Sequence, residues 1–292
     1  MGENFAIIGA GRVGSALAEA LFHCGWKCSA IISRRAEPAR QLAVKVGASI
    51  GSDRLNALPE NFSHLFLCAP DDRLSGVQNQ LAKLPRNWQG VFVAQMSGPH
   101  SSLLLQPLAA RGAITASLHP AMSFTGAAGE WRKFAGGWFA VEGEVAAQKI
   151  GREVLTALEA KSISLLPEQK TSYHIACVLV ANYLVTLHAQ AEMVVANILE
   201  KDHTAGGRML LQNLSHTVLE NIKNSSTIEA LTGPIARGDI GVMESHLRLL
   251  TEQFPQMLPL YRELGKTTLA LARKGGGLAK EVDQKISALL TN

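Results

Sequence analysis

At 292 residues the chain exceeds one typical domain and falls short of three, so two domains sharing a sizeable apolar core are expected. Hydrophobic residues make up 47% and charged residues 18%, which excludes a disordered chain and suits a globular protein with part of its surface covered in an oligomer. The net charge of +4 suits anionic ligands, but runs of Lys and Arg never exceed two residues, so no nucleic-acid footprint is expected.

The first half alternates short β-rich runs with helical patterns. Strands are expected at Phe5 to Gly9, Cys28 to Ser33, His64 to Ala69, Gly90 to Gln95, Ala113 to Leu118, Gly137 to Val141 and Ser162 to Leu166. Helices are expected between them at Val13 to Cys24, Pro38 to Val46, Leu74 to Leu84, Leu103 to Ala110 and Val145 to Leu158. Nearly continuous apolar strands separated by helices read as a doubly wound parallel sheet of the α/β class, covered on both faces. After Leu166 the strand signals stop, and Pro167-Glu168 reads as a helix start, with proline early and an acid in the first turn. The expected division is therefore residues 1–166, a Rossmann domain, and 167–292, an all-α domain for substrate binding and dimerisation.

No Asp, Glu, Lys or Arg occurs between Lys170 and Glu192, a stretch long enough to span a bilayer. It contains Tyr173, His174, Asn182, Thr186, His188 and Gln190, which lipid would not solvate, so a helix covered by protein in a homodimer is expected instead. Cys24, Cys28, Cys68 and Cys177 form no C-x-x-C pair and sit in apolar runs, which reads as buried reduced thiols with no metal site. With no secretory pattern ahead of the first strand, a cytoplasmic protein is expected.

The segment after the first strand, Gly9-Ala10-Gly11-Arg12-Val13-Gly14, has the dinucleotide spacing in its proper strand-turn-helix context. The first glycine allows the tight turn, the second lets backbone N–H groups approach a pyrophosphate, and the third lets helix pack on strand. At the end of the second strand, where NAD enzymes carry an acid for the ribose, stand Ser33, Arg34 and Arg35. Two guanidiniums suit a 2′-phosphate, so NADP is the expected cofactor. Ala69, Pro70, Asp71 and Ser97 follow strands at the same sheet edge and are expected to border it.

Candidates for chemistry lie around the same edge. Gly98 follows Ser97, and His119 precedes Pro120 at the end of a strand. Lys170 and His174 stand four apart at the start of the helical half, on one helix face, with Asn182 further along. The first turn of a helix disfavours a lysine's charge and eases proton transfer. The competing readings are an ordinary surface lysine and hydrogen-bonded structural histidines; His188, His203 and His216 read as structural.

The order of these motifs, with QMSGPHSS (95–102), SLHPAMSF (117–124), KTSYHIACVLVANYLVTL (170–187) and ALTGPIARGD (230–239), resembles the Rossmann-like NADP oxidoreductases with a helical C-terminal domain. That group is similar in architecture to ketopantoate reductase, pyrroline-5-carboxylate reductase and the 6-phosphogluconate dehydrogenase superfamily. The resemblance implies a Lys-x-x-x-Asn pair for carbonyl reduction; Lys170 matches the lysine and His174 replaces the asparagine. Arg237-Gly238 matches an Arg-Gly segment of ketopantoate reductases, while the glutamate that follows falls on Val242, with His246 one turn beyond. His119-Pro120 is similar to the His-Pro of prephenate dehydrogenases.

The resemblance thus implies hydride transfer from NADPH, across an interdomain cleft, to a small 2-oxo acid such as ketopantoate. Lys170 is expected as general acid, His174 and Asn182 as carbonyl-orienting groups, and His119, Ser97, Gly98, Arg237 and His246 around the substrate. Imine reduction, a prephenate-type dehydrogenation and a non-catalytic NADP sensor are the alternatives.

Overall fold

The computed structural model describes residues 3–199 and 204–291; His203 lies outside the described residues. The chain divides into two compact units, the first ending at Tyr183 and the second beginning at Leu184.

The first unit is built on an eight-stranded sheet of β1 (Asn4–Ile8), β2 (Lys27–Ile32), β3 (Ile50–Ser52), β4 (His64–Leu67), β5 (Phe92–Gln95), β6 (Ile114–Pro120), β7 (Trp138–Gly143) and β8 (Lys161–Ser164). The order across the sheet is β3-β2-β1-β4-β5-β6-β7-β8, and every pair is parallel except β6 with β7. Helices α1 (Arg12–His23), α2 (Ala36–Lys45), α3 (Asp71–Ala82), the short α4 (Gln106–Ala109) and α5 (Val145–Ala157) connect the strands. The doubly wound sheet expected from the sequence is therefore present.

Strict alternation along the strands splits the core in two. Phe5, Ile7, Ile31, Phe66, Phe92 and Leu118 pack on one face, whereas Ala6, Ile8, Ile32, Leu65, Leu67 and Val93 pack on the other. Both sets are buried, which is why these strands read as unbroken apolar runs. The three-residue β3 was too short to show in the sequence pattern. The antiparallel β7 follows because residues 121–137 supply only a short 3-10 turn at Glu130–Phe134, without the crossover helix that a parallel neighbour requires. This strap is fixed by Phe124, Phe134 and Phe139, stacked at 5.2 and 5.6 Å between centroids. The Glu130 carboxylate accepts from Lys133 Nζ (2.6 Å) and from the backbone N–H groups of Thr125 and Gly126; these bonds hold its pKa down at about 2.

Beyond β8, helix α6 (Lys170–Val180) still belongs to the first unit, because its first residue is carried into the sheet's polar edge. Helix α7 (Asn182–Ile198) follows after a break at Ala181. Pro167–Ile198 as a whole is long and apolar enough to cross a membrane by length and composition.

The second unit comprises the rest of α7 and α8 (Thr204–Asn224), α9 (Pro234–Arg237), α10 (Ile240–Gln253), α11 (Leu258–Lys274) and α12 (Lys280–Thr291). Helices α9 to α12 enclose a small core of Ile235, Met243, Leu269, Ala272, Ile286 and Leu290.

Candidate functional site

The glycine turn sits where the strand order reverses, between β1 and β4, at their C-terminal ends. Gly9 has φ +111°, and a Cβ there would stand 2.5 Å from the Cys68 carbonyl oxygen. At Gly14 a Cβ would fall 1.9 Å from the Gly9 carbonyl oxygen, so α1 packs directly on the turn. Gly11 differs from both: its side-chain direction opens on empty space. It is also the N-cap of α1 and offers no capping side chain, so among the described residues no side chain caps the first N–H groups of the helix, where the positive end of its dipole lies. Close backbone approach, open space and uncapped donors together fit a pyrophosphate. Arg34 and Arg35, at the C-terminal end of β2, are exposed, and among the described residues neither guanidinium makes an ion pair or side-chain hydrogen bond. They are available to a further phosphate. A cavity of about 340 Å³ flanks the turn, lined by Arg12, Ser15, Gln41, Lys45 and the strap at Gly126.

A second cluster forms at the C-terminal ends of β5 and β6, on the same edge of the sheet. The turn after β5 is clamped by Gln95, fully buried, whose side-chain oxygen accepts from Ser97 N–H and whose Nε2 donates to the His100 carbonyl at 2.7 Å. Lys170 reaches in from α6 and donates to the Ser97 carbonyl (3.0 Å) and to Ser117 Oγ (2.7 Å). Its exposure is 1%. The counter-charge is Glu142 on β7, also 1% exposed, which accepts from the backbone N–H and the hydroxyl of Ser102 and pairs in register with Ser117. Burial pulls the Lys170 pKa down to about 8 against the opposing pull of Glu142, Asp71 and Cys177. At neutral pH it is still mainly the ammonium.

His119 Nδ1 and the Tyr173 hydroxyl hydrogen-bond at 2.8 Å, and the two rings meet edge to face. Burial, with the charges of Lys170 and His174, lowers His119 to about 4, so it is a neutral imidazole in the physiological range. Burial also raises the Tyr173 phenol, with Cys177 adding to the effect. His174 lies perpendicular to His119, with ring centroids 6.0 Å apart, and its buried Nδ1 has no hydrogen-bond partner among the described residues. Both imidazoles press on Gly98: a Cβ there would fall 2.3 Å from His174 Nδ1 and 3.1 Å from His119 Nε2.

The fold thus brings together Ser97, Gly98, His119, Lys170 and His174, with Asp71, exposed in the first turn of α3, near enough to act electrostatically on His119 and Lys170. Asn182 opens α7 and is exposed. Arg237 and His246 belong to the second unit, where Arg237 is held by Asp239 (2.8 Å) and His246 Nδ1 by the Tyr261 hydroxyl (2.8 Å). His188 Nε2 is bonded to Ser215 Oγ at 2.7 Å. Tyr173, Ser117 and Glu142 join the cluster without having been singled out from the sequence. The signal available for Ser117 and Glu142 was a polar residue in an otherwise apolar strand; for Tyr173 it was its place beside His174.

Residues 3–120 match the model of the Rossmann-like domain, and residues 137–268 match a domain of unknown function, DUF2520. No curated protein matches the sequence. Among solved structures, a Bacteroides fragilis protein provisionally assigned as an NADP oxidoreductase superposes with a TM-score of 0.77 at 20% identity, over 92% of this chain and 98% of its own. A Thermotoga maritima protein gives 0.70 at 25% identity, over 93% and 99%. A reductive aminase from Aspergillus terreus, solved with NADPH and ethyl levulinate, gives 0.57 at 18% identity, over 99% and 92%. These likenesses show a shared fold.

The two outer glycines and the middle one should respond differently to substitution. Gly14→Ala must push α1 off the turn and is expected to cost about 1–3 kcal/mol in urea unfolding. Gly11→Ala, facing open space, is expected to stay within about 0.5 kcal/mol of the wild type. Equal losses in the two variants would contradict the geometry described.

Proposed function

We propose that this chain, a Rossmann-like domain joined to DUF2520, is an NADPH-dependent reductase of a small molecule bearing a polar double bond, C=N or C=O. One observation carries the reading: the open glycine turn and the His119–Tyr173 pair stand on the same C-terminal edge of one sheet. The reductive aminase of like fold, solved with NADPH, supports it.

The backbone of Gly9, Gly11, Arg12, Val13 and Gly14 would hold the pyrophosphate, Ser33, Arg34 and Arg35 the adenosine phosphate, and Ala69, Pro70 and Asp71 the edge of the crevice. NADPH, when bound, supplies the hydride. The balancing proton comes from the His119–Tyr173 pair. A neutral imidazole can release a proton from one ring nitrogen while taking the Tyr173 hydroxyl proton at the other, and the phenolate so formed regains its proton from water when the product leaves.

The charges around the pair favour C=N over a 2-oxo acid. Asp71 places a negative charge near His119, which suits an iminium, while the Lys170 ammonium is buried and already bonded. Arg237, one of the residues expected around the substrate, is engaged by Asp239. A 2-oxo acid such as ketopantoate is the second reading.

The exposed apolar residues of α6 in the first unit, and those of α7 and α8 in the second, are proposed to be covered by a second copy of the chain. Leu179, Val180, Val185, Met209, Leu210 and Leu214 are each more than half exposed. A soluble protein rarely leaves so much apolar surface open, and the polar residues between Lys170 and Glu192 argue against lipid as the cover. The four cysteines are free, as suits the cytoplasm.

Three measurements test these readings. Replacing Arg34 and Arg35 together by Ala is expected to weaken NADPH binding about 10–100-fold in fluorescence titration and to leave NADH nearly unaffected. A panel of cyclic imines and 2-oxo acids should show NADPH oxidation with imines foremost, falling about 100-fold or more in His119→Asn; turnover that survives this substitution unchanged removes His119 from the chemistry. Light scattering at micromolar concentration should report a dimer, and a monomer would refute the proposed cover.

A further inference from the structure

We infer that Lys170 is a positioning residue: it pins the Ser97–Gly98 turn so that the bare backbone of Gly98 seats His119 and His174 side by side. Its consequence for turnover rests on the reductase reading, while its geometry does not.

The position of the ammonium decides the role. Lys170 is 1% exposed, and its Nζ spends two hydrogens on the Ser97 carbonyl and the Ser117 hydroxyl, both deep in the sheet edge. Buried and bonded in this way, the ammonium is withdrawn from the surface that a substrate would meet. The Ser97 turn is held from other sides as well, by Gln95 at Ser97 N–H and at the His100 carbonyl, and by Glu142 at Ser102. A buried charge with a buried counter-charge and two buried acceptors is built to hold a shape.

What it holds is the seat at Gly98. His174 Nδ1 has no hydrogen-bond partner among the described residues, so packing against Gly98 is what places that ring. His119 Nε2 abuts the same glycine, while its Nδ1 is engaged by Tyr173. No side chain larger than hydrogen fits between them. The groups facing His119 are Lys170, His174, Tyr173 and Asp71, and those acting on Lys170 are Glu142, Asp71 and Cys177. The ammonium therefore acts on His119 twice: through the turn that seats the ring, and as a like charge opposing its protonation.

Histidine ring signals of the full-length protein, assigned by their disappearance in His119→Asn and His174→Asn, provide a test that needs no substrate. In Lys170→Met the His119 titration midpoint is expected to rise from about 4 by more than about half a pH unit, with the His174 signal displaced. Should that variant not fold, Ser117→Ala loosens the same ammonium and Gly98→Ala fills the seat directly. Both should displace the two imidazole signals, and Gly98→Ala should cut turnover at least 10-fold with NADPH affinity kept within 2-fold. Imidazole signals that superpose on the wild type in whichever of these variants fold would overturn the inference. A direct proton donor predicts a His119 midpoint raised by the lost charge alone, the His174 signal left in place and turnover lost at every pH in Lys170→Met. Absence of turnover on every imine and carbonyl would sink the reductase reading alone, and leave the ring titrations to decide this one.

Discussion

A single buried ammonium ties the first unit's last helix to its sheet. Lys170 donates to a carbonyl at the end of β5 and a hydroxyl on β6, and Glu142 on β7 balances its charge from the next strand. Removing a charged group from water costs several kcal/mol unless its hydrogens find acceptors and its charge a partner. Both conditions are met here only if three strand ends and α6 hold one arrangement. The turn at Ser97, the placement of Tyr173 one helical turn further along α6 and the contact of two imidazoles with Gly98 all follow from it.

The cofactor end of the sheet obeys a different constraint, which is steric. Gly9 and Gly14 lack side chains because β1, β4 and α1 approach too closely to admit them, whereas Gly11 lacks one where nothing in the protein occupies the space. The first two are required by packing, and the third leaves space beside the helix N-terminus. Alternation of apolar side chains along the strands then fills both faces of the sheet, leaving the C-terminal edge as the place where polar groups gather.

Electrostatics divides the labour within that edge. Lys170, charged and buried, faces inward. His119 is kept neutral by burial and by that same charge, and Asp71 adds a negative field beside it. The two groups thus differ in setting: Lys170, expected from the resemblance as the general acid, is bonded to the Ser97 carbonyl and Ser117, whereas His119 is bonded to Tyr173.

Local pattern alone determined the sheet's strands and helices, the glycine turn and the exposed Arg34-Arg35 pair, because strand, turn and helix there follow one another within a few dozen residues. The length and apolarity of the segment after Lys170 were equally plain in the sequence. Periodicity could not show the three-residue β3, the reversal of β7 or the break at Ala181, which depend on neighbouring strands and on packing. Tertiary structure alone decided the site: His119 meets Tyr173 across 54 positions of sequence, and Lys170 meets Ser97 and Ser117 across 73 and 53. Spacing along a chain carries no record of such distances. Whether a lysine ends in water or beneath a turn is settled by which acceptors the folded sheet brings to it, and that is known only once the strands are in order.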